Sequence, residues 1–111
     1  MNKHAIDLLD YTDIATLRDG IYARLDQLRA TECESRLDRR RNRHLKAEQY
    51  LMLAKLDVHF EQATVKSYGH TPLELRLAKA KITAAKIAVE LKQELVDCQR
   101  ELYIESIENG E

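Results

Sequence analysis

The chain has 111 residues, 44% of them hydrophobic and 33% charged, and its 18 Lys+Arg against 19 Asp+Glu leave a net charge of -1. That is the balance of one folded domain spanning 1–111, and three Gly with one Pro are too few turn formers for an all-β or α/β architecture. No apolar run approaches the ~18 residues of a membrane span, and Met1 to Asp7 lacks the apolar core of a signal peptide, so a cytoplasmic protein without membrane association is expected.

Residues 1–11 stand apart as a flexible N-terminal segment, with one turn of helix expected around Ala5 to Leu9. A first long helix is predicted over about 13–30, where Ile14, Leu17, Ile21, Leu25 and Leu28 recur on one stripe. The polar box Thr31-Glu32-Cys33-Glu34 separates it from a second helix over about 32–67. The sharpest punctuation is Ser67-Tyr68-Gly69-His70-Thr71-Pro72-Leu73-Glu74. Gly69 can take the left-handed position that closes a helix, Thr71 can cap the next, Pro72 suits the first helical position and Glu74 completes the box. Residues 72–108 then contain neither Gly nor Pro and predict one helix of ~55 Å, ended by Asn109-Gly110. The expected fold is all-α and coiled-coil-like: a long antiparallel hairpin of about 32–67 and 72–108 with the helix 13–30 packed on it.

A tight turn makes residues at equal distances from it face each other. Ala63 then meets Leu77, Phe60 meets Ala80, Leu56 meets Ala84, Leu53 meets Ile87 and Leu45 meets Leu95, large residues often opposing small ones. The same register sets Arg43 against Asp97, Arg39 against Glu101 and Lys46 against Glu94. The last helix carries a second apolar stripe that includes Leu75, Ile82, Val89, Val96 and Tyr103. The first helix is too short to cover it, at ~27 Å against ~55 Å. These five residues are therefore the expected oligomer or partner interface, and a homodimer is expected.

Arg36-Leu37-Asp38-Arg39-Arg40-Arg41-Asn42-Arg43-His44-Leu45-Lys46 holds six cations and one acid. This segment resembles the arginine-rich RNA-binding peptides, whose guanidinium groups span phosphates and whose Asn or Arg side chains reach base edges. From Glu32 to Ala47 the chain is also loosely similar to the basic helical N-terminal segment of transposase-helper ATPases, though no phosphate-binding glycine loop accompanies it. Residues 93–111 hold six acids and one Arg, so neutralisation within the hairpin is the competing expectation. Arg40 and Arg41 face Arg100 and Gln99 in that register and are expected to point outward. With Arg36 and Lys46 they are the candidate contacts for nucleic acid or an acidic partner.

Chemistry-bearing patterns are sparse. Cys33 and Cys98 form neither a CxxC nor a Cys/His cluster and are expected to be packed thiols without a mutual bridge. The only ligand-like histidine spacing is His44 with Glu48, short of the three or four ligands a metal needs. His59 reads as a helix-face residue and His70 as a turn residue. There is no GxSxG, P-loop or Gly-rich dinucleotide turn. No catalytic residue, cofactor or metal is expected. The function expected is that of a non-catalytic helical interaction protein, an adaptor or stoichiometric inhibitor that lays a long helix face on a larger protein. The alternative is RNA or DNA binding through helix 36–46.

Overall fold

The structure is a computed structural model that describes residues 11–67 and 70–111. Among the described residues it contains three helices and no strand: α1 (Tyr11–Ala30), α2 (Arg36–Ser67) and α3 (Pro72–Glu108). The helices expected from the apolar periodicity are all present. The turn of helix expected at Ala5 to Leu9 and the role given to Gly69 lie outside the described residues.

Helix ends follow from side chains that satisfy orphaned backbone groups. At α3 the Thr71 hydroxyl accepts from the Glu74 amide at 3.2 Å and donates to the Glu74 carboxylate at 2.9 Å, with Pro72 at the first helical position. At α2 the cap falls four residues later than the sequence suggested. Ser35, not Thr31, accepts from the Asp38 amide at 3.0 Å, so the helix starts at Arg36 rather than 32. Thr31 instead closes α1, its hydroxyl donating to the Gln27 carbonyl at 2.8 Å. Buried Asn42 reaches back from α2 and donates to the Leu28 carbonyl at 2.9 Å, which satisfies another α1 end group.

α2 is the central helix, packed on one side by α1 and on the other by α3. The α1 side holds a compact cluster of Ile14, Ile21, Leu25 and Leu56, flanked by Tyr50, Leu53 and Phe60. α1 runs antiparallel to α2. Tyr11 lies edge-on to Phe60 with ring centroids 5.5 Å apart, Arg18 pairs with Asp57 at 3.2 Å, and Arg29 donates to the Tyr50 hydroxyl nearer the other end. The result is elongated, 58 × 26 × 23 Å with a radius of gyration of 17.3 Å, where a compact chain of this length would have ~13 Å.

The α2–α3 register differs from the equal-distance expectation. Arg40 bonds to Ser106, His44 stacks on Tyr103 and Arg36 pairs with Glu111. Equal distances would have put Arg40 opposite Arg100; its long side chain reaches Ser106 instead, whereas Tyr50 with Lys92 and Ala47 with Leu95 stay within two residues of the equal-distance pairing. Both helices also present different faces from those expected. Leu53, Leu56 and Phe60 pack toward α1, and α2 offers α3 the row that runs from Arg40 through His44 and Ala47 to Leu51 and Ala54. α3 turns inward the stripe that includes Val96, Tyr103 and Ser106. The physical reason is competition for one surface: the larger apolar side chains of α2 are taken by α1, and α3 packs on the row with smaller residues.

This arrangement sets a stability contrast. Val96 is 1% exposed, so Val96→Asp should cost several kcal/mol through an unpaired buried carboxylate. Leu91, 63% exposed on the opposite face, should tolerate Asp within about 1 kcal/mol. Urea denaturation of both variants at low micromolar concentration measures the difference, and equal losses would contradict the register.

Candidate interaction surfaces

The arginine run is divided among three surroundings by helical geometry. Arg40 lies on the row facing α3 and is 9% exposed, contrary to the outward position expected for it. Its Nη1 donates to the Leu102 carbonyl at 3.0 Å and to the Ser106 hydroxyl at 2.9 Å, with Glu105 at 3.8 Å and Glu111 at 4.0 Å. Ser106, fully buried, donates onward to the Glu111 carboxylate at 2.6 Å. Arg36, half exposed, pairs with Glu111 at 3.4 Å. Arg36 and Arg40 therefore tie the start of α2 to the residues that end α3, and neither is free for a partner in the way expected.

The hydrogen bond from Ser106 holds the Glu111 carboxyl below its ordinary value; partial burial opposes this, and the Arg36 and Arg40 guanidiniums add to the lowering. A depressed carboxylate pKa stabilises the fold fully above the unfolded-state value, ~4.3 for Glu, and that contribution fades as pH falls through the folded-state pKa. Glu111→Gln should therefore flatten the acid limb of a Tm-against-pH curve below about pH 4.5. Arg40→Ala should lower stability by ~2–3 kcal/mol at neutral pH, since it removes charge-assisted hydrogen bonds to one buried and one partly buried acceptor. Thermal melts across pH 3–7 check both.

Of the remaining cations of the run, Arg39, Arg41 and Arg43 are exposed and Lys46 is half-buried. The expected pairs Arg39 with Glu101, Arg43 with Asp97 and Lys46 with Glu94 are not formed, and among the described residues Arg39, Arg41, Arg43 and Lys46 make no ion pair. Arg41 borders a shallow groove of about 330 Å³ that also contains Glu32 and Asp38. Arg39, Arg43 and Lys46 fall at i, i+4 and i+7, on one ridge. Arg43 and Lys46 meet Lys92 across a second groove of about 200 Å³, walled by Ala47, Tyr50, Leu95 and Gln99 and free of acids. Lys92 lies 5.6 Å from the Tyr50 ring centroid and Arg29 6.0 Å.

The apolar stripe named from the sequence as a free interface is instead the inner seam of the hairpin. Val96 is buried, Tyr103 stacks on His44 at 6.1 Å, and Leu75, Ile82 and Val89 are half-buried. The stripe assigned to the seam faces outward: Leu77 is 57% exposed, Ile87 50%, Leu91 63% and Leu95 49%, with Ala80, Ala84 and Cys98 exposed among them and Leu73 beyond. Positions 73, 80 and 87 and positions 77, 84, 91 and 98 repeat every seven residues, the spacing of a coiled-coil seam. It lies on the side of α3 opposite the inner seam. The sequence showed both stripes at helical spacing, and only their assignment to partners was reversed.

His44 and Glu48 do meet, at 2.6 Å, and the other ring nitrogen of His44 is buried without a partner. Among the described residues no three His, Cys, Asp or Glu side chains are placed to share a metal ion. A ring nitrogen of His70 contacts the Val65 carbonyl at 3.1 Å, close to the turn as expected, whereas His4 lies outside the described residues. Both cysteines are free thiols. Cys33 is half-buried, and Cys98, expected to be packed, is exposed. Desolvation by its surroundings and then the neighbouring Glu94 push the Cys98 thiol pKa up, which disfavours the nucleophilic thiolate. No helix among the described residues is long and apolar enough to cross a membrane. No protein family, curated protein or solved structure matches this chain.

Proposed function

We propose that this chain is a non-catalytic cytoplasmic interaction protein, an adaptor or stoichiometric inhibitor that works by docking the outer face of α3 against protein, helix to helix. The observation that carries this reading is the exposed heptad stripe through Leu77, Ala84 and Leu91. Scattered surface leucines need no explanation, but a continuous apolar row along a charged 37-residue helix is the pattern by which amphipathic helices are bound. Leu77→Glu with Leu91→Glu tests it. The tagged double variant should keep the wild-type helix content, yet lose the protein that the wild type retains in stoichiometric amount from the cells that make it. Unchanged retention would reject α3 as the working face.

A second reading has a specific observation behind it. Exposed Arg39 and Arg43 and half-buried Lys46 form a ridge without acid partners, a geometry suited to phosphates. Under this reading the chain binds RNA or DNA weakly in sequence and steeply in salt. Replacing all three by Glu should then flatten the slope of log affinity against log salt by roughly two to three units. Absence of binding to generic RNA and DNA at low salt would remove this reading and leave the first.

A further inference from the structure

We propose that the outer stripe of α3 is covered by a second copy of this chain, laid antiparallel about a two-fold axis beside Ala84 and Ile87. The proposal rests on the reading of that stripe as a docking face and names its occupant.

Charge selects the occupant. Residues 72–89 of α3 carry four cations and one acid, whereas 90–108 carry six acids and two cations. An antiparallel copy sets the basic half of each helix beside the acidic half of the other. A parallel copy would set like beside like. This polarity does not serve the helix itself, because its last turn carries acids and no base, against the helix dipole. Nor does the rest of the chain use it: Arg76, Lys79, Lys81, Lys86, Glu90 and Glu101 make no ion pair among the described residues.

The stripe is also complementary to itself when reversed. About the proposed axis Ala84 falls opposite Ile87, Leu91 opposite Ala80, and Cys98 opposite Leu73, so in these three layers a larger residue meets a smaller one, while the fourth sets Leu77 opposite Glu94. Arg76 falls opposite Asp97 at the edge of the seam, twice by symmetry. The Asp97 carboxylate keeps 47% exposure, with Arg100 at 3.8 Å. From Leu73 to Leu102 the face runs 29 residues (102 − 73), ~44 Å, and α1 leaves it open because α1 packs on the far side of α2.

Sedimentation equilibrium of the full chain over roughly 1–200 µM reads the outcome, supported by circular dichroism. The wild type should reach twice 12.9 kDa, and Leu91→Glu should remain at 12.9 kDa with unchanged helicity. Arg76→Glu should weaken the dimer ~2- to 30-fold, since each exposed pair is worth ~0.2–1 kcal/mol and two are lost. Adding Asp97→Arg to the same chain should restore it. Positions 76 and 97 are 21 residues apart on one helix (97 − 76), ~31 Å, so this rescue can come only from a second copy. In a Cys33→Ser background, Leu73→Cys should be oxidised to a covalent dimer through Cys98 of the other chain, while Leu73 chains should not cross-link.

A chain that stays monomeric across that range overturns the proposal. So does a dimer indifferent to Leu91→Glu, or one that cross-links through Cys98 alone, which would be parallel. If the monomeric wild type still loses its retained protein on Leu77→Glu with Leu91→Glu, the docking face stands and only self-pairing falls.

Discussion

A guanidinium buried between two helix ends determines how this protein is put together. The hairpin seam sets Ala47, Leu51 and Ala54 of α2 against Ile82, Val89 and Val96 of α3, and apolar rows of this kind tolerate a slip of one heptad, ~10 Å, with little change in packing. Arg40 does not tolerate it. Its donors find the Leu102 carbonyl and Ser106 hydroxyl, and its charge finds Glu105 and Glu111, in one register alone. Any other leaves a charge nine-tenths buried without acceptors, at a cost of several kcal/mol. The pair is thus a device of specificity more than of stability, because an apolar residue of similar shape could fill the same space. Once Arg40 and Ser106 meet, the faces of both long helices are settled, and so is the face of α3 left outside.

The division of α2 follows from that choice. A helix contacted on two sides needs two apolar arcs, and α2 supplies them unequally. The bulkier arc, Leu53, Leu56 and Phe60, goes to α1, where Ile14, Ile21 and Leu25 form the main buried cluster. The arc with alanines goes to α3, where small residues allow close approach. Asn42 lies between the two and is satisfied only because α1 ends beside it, at the Leu28 carbonyl. A buried amide that completes a helix terminus ties the length of α1 to its position on α2.

Local signals in the sequence carried the elements well. Thr71, Pro72 and Glu74 form the box their order suggests, and the absence of Gly and Pro from 72–108 does yield one uninterrupted helix. The break near residue 31 was legible too, although two hydroxyls four residues apart could each begin α2, and only the positions of the helices select Ser35 over Thr31. What the sequence could not show was which apolar stripe faces which neighbour. Periodicity states that Leu77, Ile87 and Leu91 share a face, and that Ile82, Val89 and Val96 share another. It is silent on which is inside, because α3 is apolar on two nearly opposite sides and α2 on two of its own. The missed clue was polar: Arg40 and His44 interrupt one row of α2, and Ser106 and Tyr103 interrupt one row of α3. Polar residues inside otherwise apolar rows identify the register better than the leucines, since leucine packs acceptably against many neighbours.

The same reasoning explains why the arginine run is not neutralised by the acids beside it. Net charges of opposite sign on adjacent helices suggest pairing along the whole seam, yet only residues at the edges of the shared face can reach across. Arg36 and Arg40 satisfy that condition and take Glu105 and Glu111. Arg39 and Arg43 lie about 100 and 60 degrees around α2 from Arg40, and of the acids expected to meet them Glu101 is exposed and Asp97 is taken by Gln93 and Arg100 of its own helix. An exposed ion pair contributes too little, ~0.2–1 kcal/mol, to hold a register against a buried guanidinium. Excess positive charge on α2 and excess negative charge on the outer C-terminal half of α3 therefore remain on separate surfaces of one molecule. The packing that satisfies the interior leaves two charge patterns without ion pairs, solvated by water, and one apolar stripe on the outer surface.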